Sequence, residues 1–426
     1  MEPLVLDADQ QEPLTITVLS SGQETGFAFD FANGDYRELT QVGDNLFTIT
    51  VSHEEAMYDF TASDVNRNFL GYLEHWTDDT MYIRANVFVE IKDQSIPPVV
   101  VDDIAPGIRL SPHVVNLHLP DIDIQALDRA AVARLFYRHF PDNFDFLNIV
   151  STPQVGMNRF YARVQNKTQG TGVPLFDSSS HYGSAGRLLG LIRFPITSYF
   201  DLAARTYSHE IGHHWVNHSD HEKLQGVRPH WPVSSLAHSV MGYQTTGQGL
   251  TFPYRIVAVS DDEYQLQIEW ESTRIFNGME LYLMGLIGPD DAGTYIVFEN
   301  QGQTLCHLCL LTGPVVNFAV SDLVASEGLR DPAWPEDQTE FNVATVIVSR
   351  ERPLSDREMR YYDYFASRGM AREELPYSMG FASGMTLPFH LATQGKGTLN
   401  TVISERLLDT IHKSGFEASP RLTFDE

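Results

Sequence analysis

The 426-residue chain carries 29 Lys and Arg against 56 Asp and Glu, a formal charge of −27, with 42% hydrophobic and 11% aromatic residues. That length is enough for two or three domains of ordinary size, and no run reaches the roughly 18 apolar residues of a membrane span. The anionic surface repels nucleic acid and anionic membrane; it reads as a solvating charge, with structural Ca2+ in acidic loops such as Asp261-Asp262-Glu263 or Asp290-Asp291 as the alternative.

Met1 to Gln11 is acidic, without the basic start, apolar core and small-residue cleavage site of a signal peptide, which leaves the compartment undecided. From Leu14 to Ile91 short strand-like runs follow: Thr15 to Leu19, Phe27 to Phe31, Leu46 to Val51 and Met81 to Ile91, with Asn33-Gly34 as a hairpin turn. This spacing predicts an all-β, immunoglobulin-like sandwich over residues 1–105, an accessory domain with no chemical equipment. Pro97-Pro98, Asp102-Asp103 and Pro106-Gly107 read as a linker ending near Pro112.

Residues 106–426 read as a mixed α/β (α+β) catalytic domain with a C-terminal extension. Ile124 to Phe140 has helical spacing through Ala126, Ala130, Ala133, Leu135 and Phe136, and Phe146 to Val150 reads as a buried strand. Gly170 to Gly186 reads as a loop and Leu188 to Phe194 as a strand. Phe200 to about Val216 is then a helix that packs inward through Ala203, Tyr207, Ile211 and Trp215.

That helix carries Ser208-His209-Glu210-Ile211-Gly212-His213-His214-Trp215. His209 and His213 lie about one turn apart, so both imidazoles reach one metal ion from the same side. Glu210 beside them is placed to take a proton from the attacking water and return it to the leaving amine, while zinc polarises the carbonyl. Ligands and base in one motif predict a zinc metallopeptidase with a zincin-like catalytic domain.

A catalytic zinc needs a third protein ligand. The metzincin arrangement puts a Gly three residues and a His six residues beyond the second ligand, but those positions hold Val216 and Ser219, which puts the sharp turn there in doubt. His218 would point about 180° from His209 on a continuing helix. His230, before Trp231 in a Pro-flanked loop, is free to fold back and is the first choice; Glu280 is the thermolysin-like alternative, its competing role being a helix-start carboxylate. Ser239-Val240-Met241-Gly242-Tyr243 resembles the metzincin Met-turn, where Tyr243 could reach an oxyanion.

From about Gly172 to Thr401 the chain resembles a family of largely uncharacterised, exported bacterial metallopeptidases. The segments that carry the likeness occur in order. They are Val173-Pro174-Leu175-Phe176-Asp177 leading to Gly186-Arg187-Leu188, His209 to Trp215, His230-Trp231, Ser239-Val240-Met241-Gly242, Met279 to Gly288 and, after a C-terminal helix, Ala392-Thr393-Gln394-Gly395. The resemblance implies a zincin-type fold, a zinc-dependent peptidase acting on protein or peptide, and export, and it favours His230 as the third ligand because His-Trp falls before the Met-turn-like segment. It supplies no substrate identity and no oligomeric state.

Leu354 to Met370 reads as a helix whose Ser355 and Glu358 have capping-box spacing, with Tyr361, Tyr362, Tyr364 and Phe365 as packing residues. Cys306 and Cys309 lack the second pair of a four-thiolate zinc site; they read as two buried small residues, with a local disulfide as the alternative. A zinc hydrolase of non-peptide amides or esters, or a non-catalytic binding protein on the same scaffold, remain the rival functions.

Overall fold

Alternation along the N-terminal strands gives them a core of their own. Phe27, Phe29 and Phe31 project to one face of Gly26–Phe31, as do Phe47, Ile49 and Val51 on Leu46–Val51, and they cluster with Ile16, Leu70 and Val87. The computed structural model describes residues 4–6 and 13–403, apart from 21–23, 25, 32–34, 53–54, 56–66, 78–79, 92–98, 124–126, 153–159, 195–207, 225–227, 246–248, 252–253, 261–262, 269–274 and 374–386. The N-terminal strands form a five-stranded sheet in the order Leu4–Leu6, Thr80–Ile91, Arg67–Thr77, Gly26–Phe31, Tyr36–Glu38, and a three-stranded one from Leu14–Leu19, Leu46–Val51 and Thr40–Gly43. Asn33-Gly34 lies outside the described residues; the strands flanking it pair antiparallel.

The segment expected as a linker is partly sheet. Asp102–Ala105 pairs antiparallel with Ile108–Leu110 across a turn in which Gly107 takes φ 73°, and these two strands close one end of an eight-stranded sheet. Its order is Phe160–Arg163, Gly190–Phe194, Phe146–Thr152, Glu340–Ser349, Val114–His118, Ile108–Leu110, Asp102–Ala105, with Thr398–Asn400 also pairing with Glu340–Ser349. The central strands run parallel and Phe160–Arg163 is an antiparallel edge. Glu340–Ser349 is buried at nearly every position, as a central parallel strand covered on both faces must be.

Period-two alternation sorts this sheet's side chains into two cores. Leu147, Ile149, Ala344, Val346 and Val348 meet Val132, Ala133 and Phe136 of the helix Arg129–His139. Phe146, Val150, Ile192, Val343 and Ile347 face the opposite way, toward Ile211, Trp215, Met241 and Phe276. The helix Arg129–His139 is N-capped by Asp128, whose side chain accepts from the Ala131 amide; its expected start at Ile124 falls on residues outside those described. The chain is therefore mixed α+β with many strands and few helices.

The capping box at Ser355 and Glu358 forms, starting the helix Asp356–Arg368, whose Tyr362 and Phe365 join the core. The cysteine expectation is corrected: Cys306 and Cys309 form a disulfide, and Cys306 is exposed. Hydrogen bonds exchanged between Leu266 and the Leu308-Cys309 backbone attach the loop to Glu263–Ile268 and leave its tip in solvent. Among the described residues no helix is long and apolar enough to cross a membrane.

Candidate metal centre

The helix bearing the histidine motif is described from Ser208 onward; residues 208–212 are helical, and the Val216 amide still reaches the Gly212 carbonyl at 3.0 Å. Ala203 and Tyr207, expected to pack inward, lie outside the described residues. Ile211 is fully buried, and Trp215 packs against Phe146 and Phe341 with ring centroids 6.2 and 5.1 Å away. Anchoring that face on the sheet turns His209 and His213 together to the other side, their centroids 4.8 Å apart.

The chain then turns sharply. Asn217 takes φ 46°, a left-handed conformation that Asn tolerates better than most residues. The turn thus exists despite Val216 at the metzincin glycine position, one residue later and with Asn in place of Gly. Gly172, at φ 80°, backs it so closely that a Cβ there would lie 2.6 Å from the His218 carbonyl carbon and the Ser219 nitrogen. Arg163, at the end of the edge strand, donates to the carbonyls of His213 and His214 at 3.0 and 2.6 Å, satisfying acceptors left over at the helix end.

His218 belongs to this turn and is not brought to the histidine pair. Its Nε2 lies 2.6 Å from Arg163 Nη2 and 2.9 Å from the His213 carbonyl. Burial, then the Arg163 charge, push its pKa down to about 4.

His230 is the third member. Asn217 Nδ2 donates to its carbonyl at 2.6 Å, and the next amide, Trp231, donates to Gly242 at 3.1 Å. Its ring centroid stands 5.5 Å from His209 and 5.0 Å from His213. One ligand atom from each of the three histidines lies within 4.8 Å of the others.

The segment resembling a Met-turn supports the pair from below. Met241 is fully buried, and its Sδ would lie 2.5 Å from a Cβ built on Gly212, so the motif's glycine is what admits the methionine. His209 Nδ1 is 2.9 Å from the Val240 carbonyl. A proton held on Nδ1 by that acceptor leaves the lone pair on Nε2, the tautomer a metal ligand needs. Tyr243 follows at the start of a short strand, and its side chain lies outside those described.

These residues fit zinc. A tetrahedral ion with nitrogen bonds of about 2.0–2.1 Å spans nitrogens roughly 3.4 Å apart, close enough to the observed spacing for small ring movements to suffice. Burial, followed by neighbouring His209 and His230, holds His213 well below its usual pKa, in the neutral form that binds metal. Glu210 is 4% exposed on the same helical turn. Among the described residues no acidic side chain joins a metal-binding group; Asp290 and Asp291 sit exposed in the short turn Pro289–Asp291, and Asp261 and Asp262 lie outside those described.

Glu280, the alternative ligand, is directed elsewhere. It is fully buried at the start of Gly278–Leu283, where it forms a capping box with Asn277 and accepts from Trp231 Nε1 at 2.7 Å and Ser239 Oγ at 2.6 Å. Desolvation raises its pKa to about 7 against the lowering effect of those donors.

Asn217, Arg163 and the packing role of Gly212 were not foreseen from sequence. Asn217 carried a usable signal, being a left-handed former just after the helix, whereas Arg163 carried none because its partners are backbone carbonyls 50 and 51 residues away. Comparison with known protein families, with curated proteins and with solved structures finds no match to this chain.

Proposed function

We propose that the chain is a zinc-dependent endopeptidase, acting outside the cell on protein or peptide, with the eight-stranded sheet and the chain that follows, from Asp102 onward, as a zincin-like catalytic domain and the strands up to Ile91 as an immunoglobulin-like accessory domain. The observation that carries this reading is the convergence of His209, His213 and His230, with Glu210 on the same helical turn as the first two. His209, His213 and His230 would hold the ion. When bound, zinc polarises the scissile carbonyl and makes water a competent nucleophile near neutral pH.

Glu210 takes the proton from that water and delivers it to the leaving amine, two transfers that one carboxylate can serve in turn. The Val240 carbonyl keeps His209 in one tautomer and orientation throughout.

The test combines elemental analysis with a protein-cleavage assay. Wild type should carry about one zinc per chain, and His213→Ala should lose it. Glu210→Gln should keep the metal but lose cleavage by about 10²-fold or more. Failure of wild type to take up supplied zinc, or Glu210→Gln cleaving as wild type does, would refute the reading.

A further inference from the structure

One buried carboxylate ties together three chain segments around the histidines. Glu280 Oε1 accepts from Trp231, the residue after His230, and from Ser239, the residue before the Val240 carbonyl that meets His209. Its Oε2 accepts from the Asn277 amide at 3.0 Å, and Asn277 Nδ2 donates to the Leu236 carbonyl at 2.6 Å, just upstream of Ser239. Trp231, Ser239 and Glu280 are each 0% exposed.

A carboxylate in such a place is expensive to desolvate, and an apolar side chain would fill the space at lower cost. What the carboxyl group adds is geometric: one of its oxygens can accept two hydrogen bonds at once, which no apolar side chain offers. Here two of them converge on a single oxygen, fixing the distance between the loop that presents His230 and the loop that orients His209. The two loops meet where the Trp231 amide donates to Gly242 of the second loop at 3.1 Å, and Glu280 adds the side-chain tie.

We infer that Glu280 is a positioning residue that sets metal affinity, locking the His230 loop to the Ser239–Met241 segment through Trp231 and Ser239 so that the three imidazoles stay converged. The inference rests on the zinc reading above. It assigns Trp231 and Ser239 a role at the metal centre although neither presents a ligand atom to it.

The test measures zinc Kd by chelator competition on the full chain, for wild type, Trp231→Phe, Ser239→Ala and Glu280→Gln, with thermal unfolding of each metal-free protein alongside. Trp231→Phe and Ser239→Ala each remove one donor and should raise Kd by about tenfold. Glu280→Gln keeps an acceptor oxygen for Trp231 and Ser239 but turns its NH2 toward the Asn277 amide, so it should lower the thermal midpoint while Kd stays within about threefold of wild type.

Lowered thermal midpoints with Kd within twofold of wild type in both donor variants would overturn the inference while leaving zinc binding intact. Should Trp231→Phe not fold, Ser239→Ala decides alone, since it removes only a hydroxyl. Absence of zinc binding by wild type would instead overturn the zinc reading, and this inference with it.

Discussion

Gly212→Ala tests how the methionine and the motif helix are fitted together. The added Cβ would stand 2.5 Å from Met241 Sδ and 3.2 Å from Phe276 Cε1, where ordinary contacts are about 3.5–4.0 Å. Met241 and Phe276 are both fully buried, so the sulfur must move by about 1 Å into a filled core. Overpacking of this kind costs about 1–3 kcal/mol, while replacing a helical glycine by alanine returns at most about 1 kcal/mol. The clash wins, and a net loss of about 1–2 kcal/mol is expected in chemical denaturation of the metal-free protein. In a Met241→Ala background, itself costing about 2–5 kcal/mol, the same Gly212→Ala change should cost clearly less, because the 2.5 Å contact is gone and only the 3.2 Å approach to Phe276 Cε1 still opposes the gain in propensity. Gly212→Ala as stable as wild type with Met241 present, or an equal loss in the two backgrounds, would refute the contact argument.

Asn217→Ala should cost about 1–2 kcal/mol for the left-handed backbone, whereas Asn217→Gly should recover stability yet still bind zinc more weakly, lacking the bond to the His230 carbonyl; denaturation and chelator competition read the two effects separately. Glu280 has its folded pKa raised by burial to about 7 from the ordinary 4.5, so between those values the folded chain holds a proton that the unfolded chain has lost. Its contribution therefore falls as pH rises through that window, by about 3 kcal/mol, and the stability gap between Glu280→Gln and wild type should shift by that order from pH 4.5 to 7.5; a constant gap contradicts it. His218, with its folded pKa lowered to about 4, works in the opposite sense. It is neutral in the fold while the unfolded chain takes up a proton below about pH 6.5, so stability falls as pH drops toward 4, and His218→Gln should flatten the acid side of the metal-free profile.

Much of the architecture follows from local pattern. The strands Leu46–Val51 and Phe146–Thr152 and the capped helix Asp356–Arg368 formed where alternation, apolar runs and capping residues put them. The edge strand Phe160–Arg163 and the pairing of Asp102–Ala105 were not legible, because a strand at a sheet's border is defined by its neighbour more than by its own residues. Cys306 and Cys309 were misplaced for a related reason: an apolar neighbourhood in sequence does not say which side of a loop faces water.

At the candidate centre the division is the same. The sequence by itself determined His209, Glu210 and His213 as a unit, since a spacing of four on a helix is geometry that no tertiary contact has to supply. Only the tertiary structure separated His230 from His218 and Glu280 as the third imidazole or carboxylate, because that choice depends on where an irregular loop returns. Asn217 bends the chain out of the helix, Arg163 engages His218, and Glu280 accepts from Trp231 and Ser239. Each of those contacts joins residues distant in sequence or fixes a backbone angle that several residue types could adopt, so the decision belonged to packing and hydrogen bonding across the fold.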